Sequence, residues 1–437
     1  MKQDSTAADG LAGMRRILLL LVGLLHVTGT TLVAEVAALQ QDELIDEALA
    51  NNPTLAALRS RAQAAQERVP QAGALMDPML RFELSNVPLS DFDFDSTPMT
   101  GKQLTLSQRF PWWGKLAARQ RMASHAVGVI EATYDDRVLT VTNMVRQAYY
   151  SLAFVDRATQ ILIANQQLLA DFVHIAQTKY AVGHGLQQDV LRAQLSLSTL
   201  DDRLIVRRQE RGAVEAHLNS VLNRPPQSRL GLTGDVKLSS FHLSADSLQQ
   251  MALASRPALR AIDQTQQRWA AAAVLADRQR RPDIDLIAGY RQRDRMPMDA
   301  VQGSDFVTLG FSINLPIYQD RKQDRQEAEA RHEQRAAMAD REALTQQIFA
   351  TIQRLSVDAR AHRDRARLLR TAIIPQANQS LTSSLAGYEV HKVDFLDLLN
   401  DQVTLFNYEI DVFRHITDFE KTLADLEAIV GQAITDR

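Results

Sequence analysis

Two acidic residues, Asp189 and Asp397, hold equivalent places in two similar stretches of a 437-residue chain: YAVGHGLQQDVLRAQ at 180–194 and YEVHKVDFLDLLNDQ at 388–402. Each falls where a turn gives way to a helical pattern, so its carboxylate can stabilise a helix N-terminus through the macrodipole with no further role. Met99, Met296 and Met298 lie in polar stretches between strand patterns. Their soft thioethers could bind copper(I) or silver(I), although scattered methionines are more often incidental. The ten histidines show no paired ligand spacing, so no metal site is expected. With no cysteine there is no thiolate nucleophile, thiolate zinc site or disulfide. No GxSxG elbow, phosphate loop or HExxH pair occurs, and Gly114-Lys115 lacks the upstream glycine of a phosphate loop. Neither an enzyme nor a cofactor is expected.

The elements around these residues are of two kinds. In residues 306–316, FVTLGFSINLP, Val307, Leu309, Phe311 and Ile313 alternate with Thr308, Gly310, Ser312 and Asn314. One face is greasy and the other small and polar, which is the pattern of a membrane β-barrel strand. Similar alternation marks 79–86 (Leu80, Phe82, Leu84), 102–110 and 283–291 (Ile284, Leu286, Ala288, Tyr290), which predicts β-hairpins at 79–110 and 283–315. The loops 87–101 and 292–304 then lie in water beyond them. Residues 113–179 contain two glycines and no proline, which predicts a helix of about 100 Å at 1.5 Å per residue. Within it Val138, Val141, Val145, Ala148, Leu152 and Val155 are spaced as a coiled-coil seam, so the helix needs partners along its length. A turn at 180–186 and a return helix ending before Pro225-Pro226 follow. A second long helix is predicted over 317–385, with Leu344, Ile348, Ile352, Leu355 and Ala359 on one stripe, then a turn at 386–393 and a last helix. A short helix at 42–50 and one capped by Thr54 precede the first hairpin.

The second half echoes the first. Arg256-Pro257-Ala258-Leu259 matches Asn52-Pro53-Thr54-Leu55, Ser312 and Pro316 match Ser107 and Pro111, and Tyr388, Asp397, Leu399 and Gln402 match Tyr180, Asp189, Leu191 and Gln194, all roughly 200 residues on. The expected organisation is a first repeat at 39–226, an inter-repeat loop at 227–243 and a second repeat at 244–437. Residues 1–38 read as an export leader: Arg15 and Arg16, an apolar run at 17–27, and cleavage after Ala34 or Ala38, with Met14 as an alternative start. An uncleaved anchor is the other reading, although the run is short of the ~20 residues that a spanning helix needs. A net charge of −3 and a pI near 6.4 give no electrostatic case for nucleic acid.

Four strands cannot close a membrane barrel, whose smallest form has about eight. An open edge is not viable in lipid, so copies of the chain must close it, and physics alone leaves their number open.

The chain resembles outer-membrane efflux proteins of the TolC family. The resemblance rests on the repeated order helix, strand, strand, long helix, turn, helix and on the two motifs at 180–194 and 388–402. Residues DPMLRFELSNVPL and PMTGKQLTLSQRFPWWGKL are similar to the CzcC-like branch attached to heavy-metal exporters. The family implies an α+β membrane protein: a homotrimer whose twelve strands form a transmembrane barrel continuous with a coiled-coil helical tunnel in the periplasm. It also implies docking to an inner-membrane pump through a periplasmic adaptor, and a passive duct for heavy-metal cations or, alternatively, small organic toxicants. By the same resemblance the two Tyr…Asp turns lie at the periplasmic tip. Asp397, Asp189 and Tyr388 are then candidates for the channel gate, because an acid repeated around a narrow axis attracts cations. Tyr180, Gly183, Gly185 and His391 are candidates for adaptor docking. His391 stands where the family often has glycine, and Asn400 where a second acid is expected. Trp112 and Trp113 suit a membrane-interface belt. A periplasmic coiled-coil scaffold without a barrel would explain the helices but not four alternating strands.

Overall fold

A computed structural model describes residues 38–90, 92–95, 97–295 and 299–435. The expected export signal, from Arg15 to Ala34, and Met296 and Met298 lie outside the described residues. The elements run α1 (Gln41–Asn51), α2 (Pro53–Gly73), β1 (Met79–Ser85), β2 (Gly101–Phe110), α3 (Lys115–Ala181) and α4 (Gln187–Val221). There follow α5 (Ala245–Ser255), α6 (Pro257–Arg278), β3 (Ile284–Gln292), β4 (Phe306–Ile313), α7 (Gln323–Leu368), a π-helical turn (Leu369–Ile373), α8 (Ile374–Glu389) and α9 (Phe395–Val430).

Local chemistry moves two of the expected boundaries. Asn52, not Thr54, caps α2: its Oδ1 accepts the Thr54 and Leu55 N–H groups at 3.0 and 3.2 Å. Pro53 then takes the first helical position, where a missing N–H is harmless. The helix expected over 317–385 begins only at Gln323, because residues 317–322 fold as turns. It then passes Pro375 and continues to Glu389. Proline has no N–H and crowds the carbonyl four residues earlier, and the π turn just before it widens the coil at that point.

The four strands form one antiparallel sheet in the order β1-β2-β3-β4, with the β2–β3 pairing joining the two hairpins. Register puts like with like. Leu80, Leu106, Ala288 and Leu309 form one row across the sheet, and Phe82, Leu104, Tyr290 and Val307 the next. The intervening rows, Arg81-Thr105-Gly289-Thr308 and Arg109-Asp285-Ser312, belong to the opposite face. Leu309 is 80% exposed and Val307 73%, so the apolar face is uncovered in the single chain. The outer edges of β1 and β4 have no strand partner among the described residues.

The helices take their order from α3, which packs on α1, α2, α4, α6 and α9. Its seam residues Val141, Val145, Ala148 and Leu152 meet Leu44, Leu55 and Leu218 in one buried cluster. Ile348, Ile352, Leu355 and Ala359 of α7 meet Leu248, Leu259, Phe419 and Leu423 in another. Buried carboxylates pin the connection between α4 and α5 across this body. Asp156 accepts the Thr233 N–H and hydroxyl at 3.1 and 3.2 Å and the Arg211 guanidinium at 2.7 Å. Glu420 accepts the Ser239 N–H and hydroxyl at 2.7 and 2.9 Å. No helix among the described residues is long and apolar enough to cross a membrane.

Candidate functional site: the two helical turns

Helices α3 and α4 join through residues 182–186, and α8 and α9 through residues 390–394. Both turns close with the same bonds. Gly183 N–H donates to Tyr180 O at 3.0 Å and His184 N–H to Lys179 O at 2.8 Å. In the second turn His391 N–H donates to Tyr388 O at 3.2 Å and Lys392 N–H to Gly387 O at 2.8 Å. This is a Schellman stop, which needs one residue in the left-handed region. Gly183 supplies it with φ +77°, and His391, a residue with a Cβ, supplies it with φ +64°. Gly185 fits a tight space, since a Cβ there would stand 3.0 Å from Lys179 Cβ and the Tyr180 nitrogen.

The turns are held side by side. Leu169, Phe172 and Ala176 of α3 and Ala193 of α4 pack with Leu381, Tyr388, Phe395, Leu398 and Leu399. Lys179 donates from Nζ to the Tyr388 and Glu389 carbonyls at 2.6 and 3.1 Å, and its ammonium lies 4.5 Å from the Tyr388 ring centroid. His391 Nε2 lies 3.2 Å from the His184 carbonyl, and the two imidazoles meet edge to face.

The candidate residues divide by burial. Tyr180, Gly183 and His391 are exposed at the end of the helical body, and Gly185 is half-buried. Tyr388 is only 6% exposed and its ring packs on Phe395. Its hydroxyl has no hydrogen-bond partner among the described residues. Burial pushes the phenol above its ordinary range, and the Asp189 charge adds to that. Asp189 is half-buried in the first turn of α4. Asp397 is exposed in the first turn of α9. At the other end of α3, Trp113 is 73% exposed and stacks edge to face on half-buried Trp112. Trp112 N–H and the buried Lys115 ammonium both donate to Asp283, at 3.0 and 2.6 Å.

The structure also brings together residues that spacing did not pair. Lys179, which ties the turns, carries no motif of its own. Histidines do pair, His184 with His391 and His362 with His415, each across a long stretch of sequence. Among the described residues no three His, Cys, Asp or Glu side chains stand together as a metal site.

The family model for outer membrane efflux proteins matches residues 44–224 and 248–432. The chain belongs to the outer membrane efflux protein family. A 154-residue stretch is 26% identical to the cobalt-zinc-cadmium resistance protein CzcC of Cupriavidus metallidurans, covering 35% of this chain and 34% of that relative's length. Among solved structures, the outer membrane protein VceC of Vibrio cholerae superposes with a TM-score of 0.75 at 20% identity, covering 90% of this chain and 97% of that one. CusC gives 0.76 at 16% identity over 91% and 93%. The open-state MtrE outer membrane channel of Neisseria gonorrhoeae gives 0.71 at 17% identity over 90% and 89%. As a member of this efflux family the chain is an outer membrane protein with a large helical periplasmic part, not an enzyme.

Proposed function

We propose that this efflux-family chain is the outer membrane duct of a tripartite export system, passive in itself and driven by an inner-membrane pump that meets it through a periplasmic adaptor. The supporting observation is the sheet: four strands with one uncovered apolar face and two unpaired edges, set on a helix of 67 residues. Such a sheet becomes viable in lipid when copies complete each other's edges. Three copies give a twelve-stranded barrel over a helical tunnel, with the two halves of each chain acting as repeats.

In this reading the two turns form the periplasmic mouth. Asp397, Asp189 and Tyr388 line or tether the gate, and exposed Tyr180, Gly183 and His391, with Gly185 behind them, meet the adaptor. Trp112 and Trp113 mark the membrane interface. The resistance function in the name of the CzcC relative favours heavy-metal cations as cargo. Native mass of the protein extracted in detergent from outer membranes tests the assembly. A three-chain particle that conducts ions in planar bilayers is expected; a soluble periplasmic monomer or dimer overturns the duct.

A further inference from the structure

His362 of α7 and His415 of α9 face each other with their Nδ1 atoms 3.1 Å apart and their ring centroids 5.4 Å apart. Both side chains are half-buried. His362 falls on the packing stripe of α7 and the π turn after it, in the series Ile348, Ile352, Leu355, Ala359, His362, Ala366 and Leu369, whose other members are buried and apolar. His415 precedes buried Ile416, which packs with Ala366 and Leu369. A polar residue on such a seam weakens packing, so its presence calls for a compensating interaction. At 3.1 Å two imidazoles can share one proton, but two imidazolium ions would repel. The charged groups around the pair are Arg365 on α7 and Asp411 and Asp418 on α9, one turn to either side of His415. Asp411 lies 3.9 Å from Arg414 and Asp418 lies 3.8 Å from Lys421, so both carboxylates are only loosely engaged.

We propose that His362 and His415 chelate one transition-metal cation of the zinc(II), nickel(II) or copper(II) class, which clips α7 to α9. A tetrahedral ion with Zn–N bonds of about 2.0–2.1 Å holds two ligand nitrogens about 3.3–3.4 Å apart, so the pair must open slightly and each ring, now nearly in line with the Nδ1–Nδ1 vector, must turn until both lone pairs converge on the ion. Water completes the shell, because no third protein ligand stands at bonding distance among the described residues. Imidazole suits these ions, and the neutral form is the one that binds. The site lies between packed helices, so its ion is a resident of the fold and separate from any cargo.

The test uses the purified full-length protein in detergent, stripped with a chelator and titrated calorimetrically with nickel(II), with copper(II) paramagnetic resonance to count nitrogen ligands. One cation per chain with two-nitrogen ligation is expected in the wild type. Binding should be lost in His362→Gln and in His415→Gln, and kept in the His184→Ala/His391→Ala double variant. Glutamine retains a polar seam contact, and circular dichroism with native mass checks that each variant folds. Absence of a two-nitrogen copper signal in the wild type overturns the proposal even if a variant misfolds, as does binding that survives both glutamine variants or disappears only in the double variant. The readout is binding, so its failure leaves the duct untouched, and loss of conductance leaves the site untouched.

Discussion

His391 does with strain what Gly183 does freely: both end a helix in the left-handed region, and only one lacks a Cβ. Left-handed backbone costs an ordinary L-residue about 1–2 kcal/mol, so His391→Gly should stabilise the solubilised protein and Gly183→Ala should weaken it by a similar amount in denaturant melts. Burial raises the Glu409 carboxyl above its ordinary 4.5, against a lowering by Asn165 and Arg157. The fold therefore prefers the protonated acid. Its contribution to stability is complete below pH 4.5 and is lost as pH rises through the raised folded value. Glu409→Gln should melt higher than the wild type above that window and match it below, which a melting series from pH 4 to pH 8 reads out. Asp397, exposed at the start of α9, is expected to attract cations at the mouth. Reversal potentials in a salt gradient should show less cation selectivity for Asp397→Ala, and unchanged selectivity removes Asp397 from the gate.

The strands carry a sharper contrast, because adjacent residues of β4 belong to opposite faces. Leu309 lies in the apolar row with Leu106 and Ala288, while Thr308 lies in the polar row with Thr105 and Gly289. An arginine facing lipid at mid-membrane costs about 2–4 kcal/mol, whereas the lumen face tolerates charge. Leu309→Arg should therefore reduce the folded, heat-modifiable form on gels, and Thr308→Arg should not. This contrast was legible in the sequence because a strand's period of two depends on nothing but its own residues. The seams of α3 and α7 were legible for the same reason: Val141 and Ile348 report their burial through spacing alone. What stayed hidden was set by atoms elsewhere. The cap at Asn52 rather than Thr54 depends on which side chain reaches two free N–H groups. The passage of α7 into α8 through Pro375 depends on a π turn that no periodicity announces. Lys179 and the histidine pairs meet only after distant helices pack, so their function could not be read from neighbours in sequence.

At the scale of the molecule, the loop between α4 and α5 is fastened by acids buried among helices, Asp156 and Glu420. Those bonds add to the polar contacts between α3 and α9, where Asn143 and Gln147 both donate to Asp425. The same long-range character governs the sheet. Arg109 and Asp285 bond across the β2–β3 join although they are 176 residues apart, with the whole of α3, α4, α5 and α6 between them. Each hairpin can close locally, but drawing the two together must await the helices that bring their ends near. Helix formation should therefore precede the heat-resistant species when refolding is followed by circular dichroism and gel mobility together. Until that late step the lipid-seeking surface exists as two narrow ribbons on separate stretches of chain. The order of assembly thus acts as a safeguard against premature sticking: the broad adhesive plate comes into being only once the scaffold that aims it is already built.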